Sequence, residues 1–185
     1  MARGLPEGRP VQTRHALKGT FPGIGTDDKV VIWGGGVYNW FDPLTLIHAI
    51  DRARQKVPEI RLVFLGMKHP NPGVPEMDMA HRTRALASDL GLEGTHVFFN
   101  EQWVAYDDRQ NYLLDAVERE SLGVAVPPQD VDALTDALVL LLTDSEAAAG
   151  ASARSRAISQ QFTWSRSLAP LAAFVRSPRR APDVV

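Results

Sequence analysis

Residues 30–50 read VVIWGGGVYNWFDPLTLIHAI. An apolar run stops at three consecutive glycines, aromatics follow, and an Asp-Pro pair opens a helical pattern. KVVIWG, Lys29 to Gly34, is short and nearly all apolar, as expected of a strand buried on both faces of a parallel sheet. Asp42 has the side chain of a helix cap, and Pro43 fits the first helical position, where a missing N–H costs nothing. Leu44, Ile47, Ile50 and Val57 follow at helical spacing, and Pro58 sets the limit of that helix. The glycine turn lets a backbone approach a ligand closely just before a helix N-terminus, which favours a phosphate. The same glycines also serve a tight strand-to-helix turn that holds nothing.

The pattern repeats outward from this unit. IRLVFLG, Ile60 to Gly66, is a second buried strand, followed by the Pro-rich MKHPNPGVPEMD. Asp78 is the expected cap of a helix running to about Leu90, closed by Gly91. THVFFNE, Thr95 to Glu101, is a third strand, and Tyr106 to Ala116 a short helix. GVAVPP, Gly123 to Pro128, is a short strand, and Asp130 caps a strongly periodic helix ending at Asp144. A last helical region, about Glu146 to Phe174, is broken near Phe162 and kinked or stopped at Pro170. Alternating strands and helices with short connections predict an α/β fold, a Rossmann-like parallel sheet with helices on both faces. Residues 1–27 are expected to form a linker outside the core, 28–175 the domain, and 176–185 a flexible tail.

Composition narrows the function. With 185 residues and 44% hydrophobic content, the chain has room for one sizeable core. A formal net charge of -2 leaves no electrostatic footprint for nucleic acid. The absence of cysteine removes disulfides, thiolate metal sites and Cys nucleophiles, and fits a reducing compartment. MARGLPEGRP has no apolar segment of the secretory kind, so the expected location is the cytoplasm. Arg176, Arg179 and Arg180 form a small basic tail suited either to solvent or to peripheral contact with an anionic membrane.

Several chemistries have partial matches. A dinucleotide fingerprint needs G-x-G-x-x-G and an acid about 20 residues on. Gly34 and Gly36 fit, but Asn39 stands at the third glycine, and the second strand runs into Met67-Lys68-His69, with no acid. No Walker lysine follows the glycines. Lys68 and His69 lie beyond the second strand on the same sheet edge, where a cation either meets a diphosphate or stays in solvent. His15, His48, His69, His81 and His96 have no metal-ligand spacing. Asp27-Asp28 and Asp107-Asp108 fall where caps and solvated loops are expected. Tyr38 and Trp40 are placed either to pack the loop or to stack on a base or sugar.

WGGGVYNWFDPLTLIHAI, the strand ends LGMKHP and FFNEQWV, and the later LGVAVPPQDVDAL and FTWSRSLAPL resemble the C-terminal half of bacterial glycosyltransferases of the two-domain GT-B fold, family 4-like. The resemblance spans residues 4 to 180. It implies a domain that binds a nucleotide-diphosphate sugar as donor substrate, needs no metal, and works with a separate acceptor-binding domain. By the resemblance, Gly34, Gly35, Gly36 and Asn39 lie by the donor diphosphate. Lys68, Asn100, Glu101, Trp103 and Val104 lie by the phosphates and base. The relatives retain the sugar's anomeric configuration.

The sequence also departs from that family. Set against the resemblance, the N-terminal acceptor domain is expected to be absent. NYLLDA runs straight into VERESLGVAV, where relatives carry two further strands with crossover helices, which take at least about 30 residues. The chain therefore reads as internally deleted between Ala116 and Val117. The missing part would hold the family's E-x7-E acids. Glu93 and Glu101 match that spacing formally but span a loop and a strand. The usual Arg and Lys after the first strand are replaced by Asn39 and Asp42. The expected consequence is a donor-side half that transfers sugar weakly or not at all, or a non-catalytic nucleotide-binding or interaction module that works with a partner chain. A sheet that loses inner strands also risks an open apolar edge.

Overall fold

Strand β1, Lys29–Gly36, runs two residues further than its apolar stretch, so Gly35 and Gly36 belong to the strand rather than to a turn after it. A computed structural model describes residues 12–69, 71–102, 104, 108, 111, 112, 124, 126–159 and 163–178. β1 pairs in parallel with β2, Ile60–Gly66, which pairs in parallel with β3, Val97–Phe99, giving the order β1-β2-β3. Helix α1, Pro43–Ala53, links β1 to β2, and α2, Asp78–Asp89, links β2 to β3. Three more helices follow: α3, Val131–Thr143; α4, Ser145–Ser159; and α5, Trp164–Arg176.

Successive residues of a strand face opposite sides of a sheet, and the three strands divide accordingly. Val31, Trp33, Ile60, Leu62, Phe64, Val97 and Phe99 face a core with α1, α2 and α3, which insert Ile47, Ile50, Ala80, Ala87 and Leu142. Val30, Ile32, Val63, Leu65 and Phe98 face a second core completed by Leu17, Phe21 and Ile24. This corrects one expectation. The stretch 16–24 is not outside the core, since Leu17 is fully buried and Ala16 and Ile24 nearly so. Among the described residues, the second sheet face is covered by this turn-rich segment and by Tyr112, which with Asn111 is helical. The segment is pinned by Asn111, whose Oδ1 accepts from the Thr13 N–H at 3.0 Å, and by the Arg14–Asp108 ion pair.

The helix signals acted as their chemistry predicts at α1 and α3. Asp42 caps α1: its Oδ1 accepts from the Thr45 N–H at 3.1 Å and its Oδ2 from the Thr45 hydroxyl at 2.7 Å. Asp130 caps α3 through the Ala133 N–H at 2.8 Å. Asp78 is not the cap of α2; Met77 holds that position without a side-chain bond, and Asp78 is the first helical residue. Gly91 takes φ +63, the left-handed conformation that ends such a helix. α5 continues through Pro170 instead of stopping there.

The third strand is shorter than Thr95 to Glu101, because the Thr95 and His96 amides bond to the Leu92 carbonyl in a turn. The expected fourth strand, GVAVPP, has Val124, Val126 and Pro127 outside any strand, and its Gly123 and Ala125 lie outside the described residues. Among the described residues the sheet therefore has three strands, and β1 is an edge. The Ala116–Val117 junction and most of the Tyr106–Ala116 helix lie outside the described residues. So do Arg179 and Arg180 of the tail.

Candidate functional site

The carboxyl ends of β1 and β2 do not run evenly. Trp33 pairs with Phe64, but Gly36 pairs with Gly66, so β1 spends one residue more than β2 over the same step. This is a bulge, and it turns the glycine backbone outward. The Trp33 indole N–H holds it by donating to the Gly36 carbonyl at 3.1 Å. A Cβ on Gly66 would lie 2.7 Å from the Gly35 carbonyl oxygen, so the two backbones meet where no side chain fits. A Cβ on Gly36 would strike the Tyr38 ring at 2.8 Å, whereas one on Gly35 meets nothing within 4 Å.

A cleft of about 300 Å³ opens on this bulge. It is lined by Gly34, Gly35, Gly36 and Gly66 at the strand ends, by Lys68 and His69 beyond β2, by Gln102 and Val104 beyond β3, by Val74 to Met77 of the Pro-rich loop, and by Tyr38. The cleft thus lies outside the carboxyl ends of parallel strands, where open α/β sheets bind ligands. Part of its lining comes from the Pro-rich loop, which carried no recognisable motif. The signal available was its length, since connections of this kind usually take about 2–6 residues.

The site residues expected from sequence separate here. Gly34, Gly35, Gly36, Lys68 and Val104 all line the cleft. Asn39 does not line it: its side-chain Oδ1 accepts from the Met79 N–H at 3.0 Å. It serves as a cap supplied to α2 from forty residues away, which explains how that helix begins without a cap of its own. Asn100 is buried, with its amide donating to the carbonyls of Leu65 at 3.3 Å and Gln102 at 2.7 Å. It fixes the exit of β3 to the end of β2 and does not line the cleft. Trp103 lies outside the described residues.

Glu101 stands behind Lys68 rather than in the cleft. Its carboxylate pairs with Lys68 Nζ at 2.8 Å and with the Arg84 guanidinium. Arg84 also reaches Glu76 at 3.6 Å and lies over the Phe99 ring, 4.9 Å from its centroid. Burial pushes the Glu101 carboxyl up, but the hydrogen bonds from Lys68 and Arg84 outweigh it and hold the group below the ordinary carboxylate range. Two cations and two carboxylates therefore share one chain of ion pairs, and Lys68 is not a lone charge awaiting an anion. Arg84 gave no signal in the sequence, being one of several polar residues on α2.

Tyr38 and Trp40 stack on each other, centroids 4.9 Å apart and planes within 4°, so each covers one face of the other. The N-terminus of α1 is occupied by the Asp42 carboxylate, so it is no free anion site, and no residue of α1 lines the cleft. Asp28 of the Asp27-Asp28 doublet is spent on Arg61 at 3.1 Å and the Gly25 N–H at 2.7 Å. Glu93 and Glu101 stand at opposite ends of β3 and form no joint acidic site. Among the described residues no three His, Asp or Glu side chains converge on a metal position, and no helix is long and apolar enough to cross a membrane.

A scan of protein-family models gives no match to this chain, and a search of curated proteins gives none either.

Proposed function

We propose that the cleft is a nucleotide-diphosphate site, the donor-side half of a GT-B-like glycosyltransferase that is impaired in transfer. The observation that carries the reading is the glycine lining made by Gly34–Gly36 and Gly66 at the ends of two parallel strands, with open space where a Cβ on Gly35 would stand. A phosphate approaches backbone amides most closely where no Cβ intervenes, and glycine-rich strand ends supply that. The cleft volume lies at the low end for small-molecule sites, suited to the diphosphate and ribose more than to a whole nucleotide sugar. On this reading Lys68 turns from Glu101 to the diphosphate when the ligand binds.

Transfer is a separate matter. Among the described residues the acids that the resemblance assigns to the donor sugar have no counterpart, because Glu93 and Glu101 stand at opposite ends of β3 and Glu101 is committed to Lys68 and Arg84. That pairing favours a second reading, a non-catalytic nucleotide-binding module that works with another chain.

The test is an NMR titration of the labelled chain with uridine, adenosine and guanosine diphosphates. Glycine amides occupy a distinctive region of the spectrum. Saturable shifts at Gly34, Gly35, Gly36 and Gly66 are expected with one nucleotide. Saturable binding that moves other amides and leaves these four in place would reject the cleft. Transfer of sugar at a rate typical of an intact enzyme, about 10 s⁻¹, would reject the impairment.

A further inference from the structure

Among the described residues, α5 has a face that the rest of the fold does not cover. Leu168, Leu171, Phe174 and Val175 are large apolar residues left exposed, Leu171 at 57%, Phe174 at 53% and Val175 at 70%. None of its residues is buried. Trp164, Leu168, Leu171 and Val175 fall at spacings of four, three and four, one stripe along a helix, with Phe174 on its flank. Arg166 and Arg176 lie off that stripe.

Charge along this part of the chain is lopsided. Between Glu146 and Asp183 the sequence holds six arginines and no acid. The whole chain has a formal net charge of -2, so the remainder carries -8. A second copy of the chain would bring the same α5 arginines, Arg166 and Arg176, to a face-to-face contact, which repels. A surface that is apolar beneath and anionic above satisfies both features: tryptophan, leucine and phenylalanine enter the headgroup boundary while arginines remain among the headgroups.

We propose that α5 is an interfacial anchor that lays its Trp164–Val175 stripe on an anionic lipid bilayer, with Arg166 and Arg176 engaging the headgroup phosphates. This goes beyond the nucleotide reading and does not depend on it. The helix lies flat in the interface and does not span.

The test is flotation of the full chain with vesicles of equal parts phosphatidylglycerol and phosphatidylcholine, compared with phosphatidylcholine alone. Binding is expected to the anionic vesicles only, and to weaken as salt rises. Leu171→Asp with Phe174→Asp is expected to abolish it, and Arg166→Gln with Arg176→Gln to weaken it about 30-fold. All four side chains are exposed, so the melts of both variants are expected to match the parent. Leu140→Asp, at an exposed apolar site on α3, is the control that keeps binding. Equal binding to neutral vesicles, binding indifferent to the α5 changes, or a dimer that the Leu171/Phe174 variant dissociates while vesicles remain unbound would each overturn the proposal.

Discussion

Lys68 Nζ lies 2.8 Å from Glu101 Oε2, so the cation best placed to meet a diphosphate is already paired by the residue that follows Asn100 at the exit of β3. Any anion entering the cleft must compete with that carboxylate. Glu101→Gln removes the competitor while keeping the side chain's shape. The expected result is tighter binding of a nucleoside diphosphate, by about five- to tenfold, since releasing a charged hydrogen bond of this exposed kind is worth about 1 kcal/mol. Calorimetric titration of the two proteins measures it. Weaker binding by the variant would mean that Glu101 itself contacts the ligand.

Asn39→Ala separates a structural residue from a ligand residue. Its Oδ1 accepts from the Met79 N–H at 3.0 Å and caps α2. The change is expected to cost about 1 kcal/mol, or about 2–4 °C in Tm for a chain of this size. Nucleotide affinity, measured under conditions where both proteins are folded, is expected to stay within about twofold. Asp42→Ala, at the doubly bonded cap of α1, is expected to lower Tm by at least as much.

Gly66 and Gly35 make opposite predictions from adjacent positions. At Gly66 a Cβ would stand 2.7 Å from the Gly35 carbonyl oxygen, and the obstacle is backbone. Gly66→Ala is therefore expected to destabilise the fold by about 1–3 kcal/mol, the range for forced overpacking. At Gly35 nothing lies within 4 Å, so Gly35→Ala is expected to melt like the parent. Because Gly35 lines the cleft, its methyl group is expected to weaken diphosphate binding all the same. Denaturant unfolding and nucleotide titration of both variants check the pair.

Acid stability follows from three carboxylates held low. Glu101 is lowered against burial by Lys68 and Arg84, Glu59 first by its own backbone hydrogen bond and then by Lys29, and Asp108 first by Asn111 and then by Arg14. A carboxyl whose folded pKa lies below its unfolded value binds fewer protons folded than unfolded. Its contribution is complete above the ordinary values of 4.5 for Glu and 3.8 for Asp, and is lost as pH falls through the folded values. Tm is expected to hold from pH 7 to about 5 and to drop below about 4.5. Glu101→Gln is expected to shallow that drop.

Much of the fold was legible because its signals are local. The buried strand Ile60–Gly66 ends where its apolar run ends, and Asp42-Pro43 and Asp130 announced their helices through chemistry that acts over three residues. The site was legible only in part. Gly34–Gly36 and Lys68 were found because glycines and a cation at a strand end are visible in one dimension. The roles of Asn39, Asn100 and Glu101 were not, because each is decided by a partner distant in sequence: Met79, Leu65 and Arg84. Leu17, Phe21 and Ile24 were hidden for a related reason. They lie among turn residues with no strand or helix period, yet they cover a sheet face together with Tyr112.

The most direct test of the central claim is a thermal melt of the full chain with and without a panel of nucleoside diphosphates. A ligand at about a hundred times its Kd adds about 2.7 kcal/mol to stability, or about 5–10 °C in Tm at this size. The account predicts one cooperative transition, raised by one base's diphosphate in the parent and raised less in Gly35→Ala. A cooperative transition that no nucleotide moves would contradict the claim that the glycine-lined cleft is a nucleotide site.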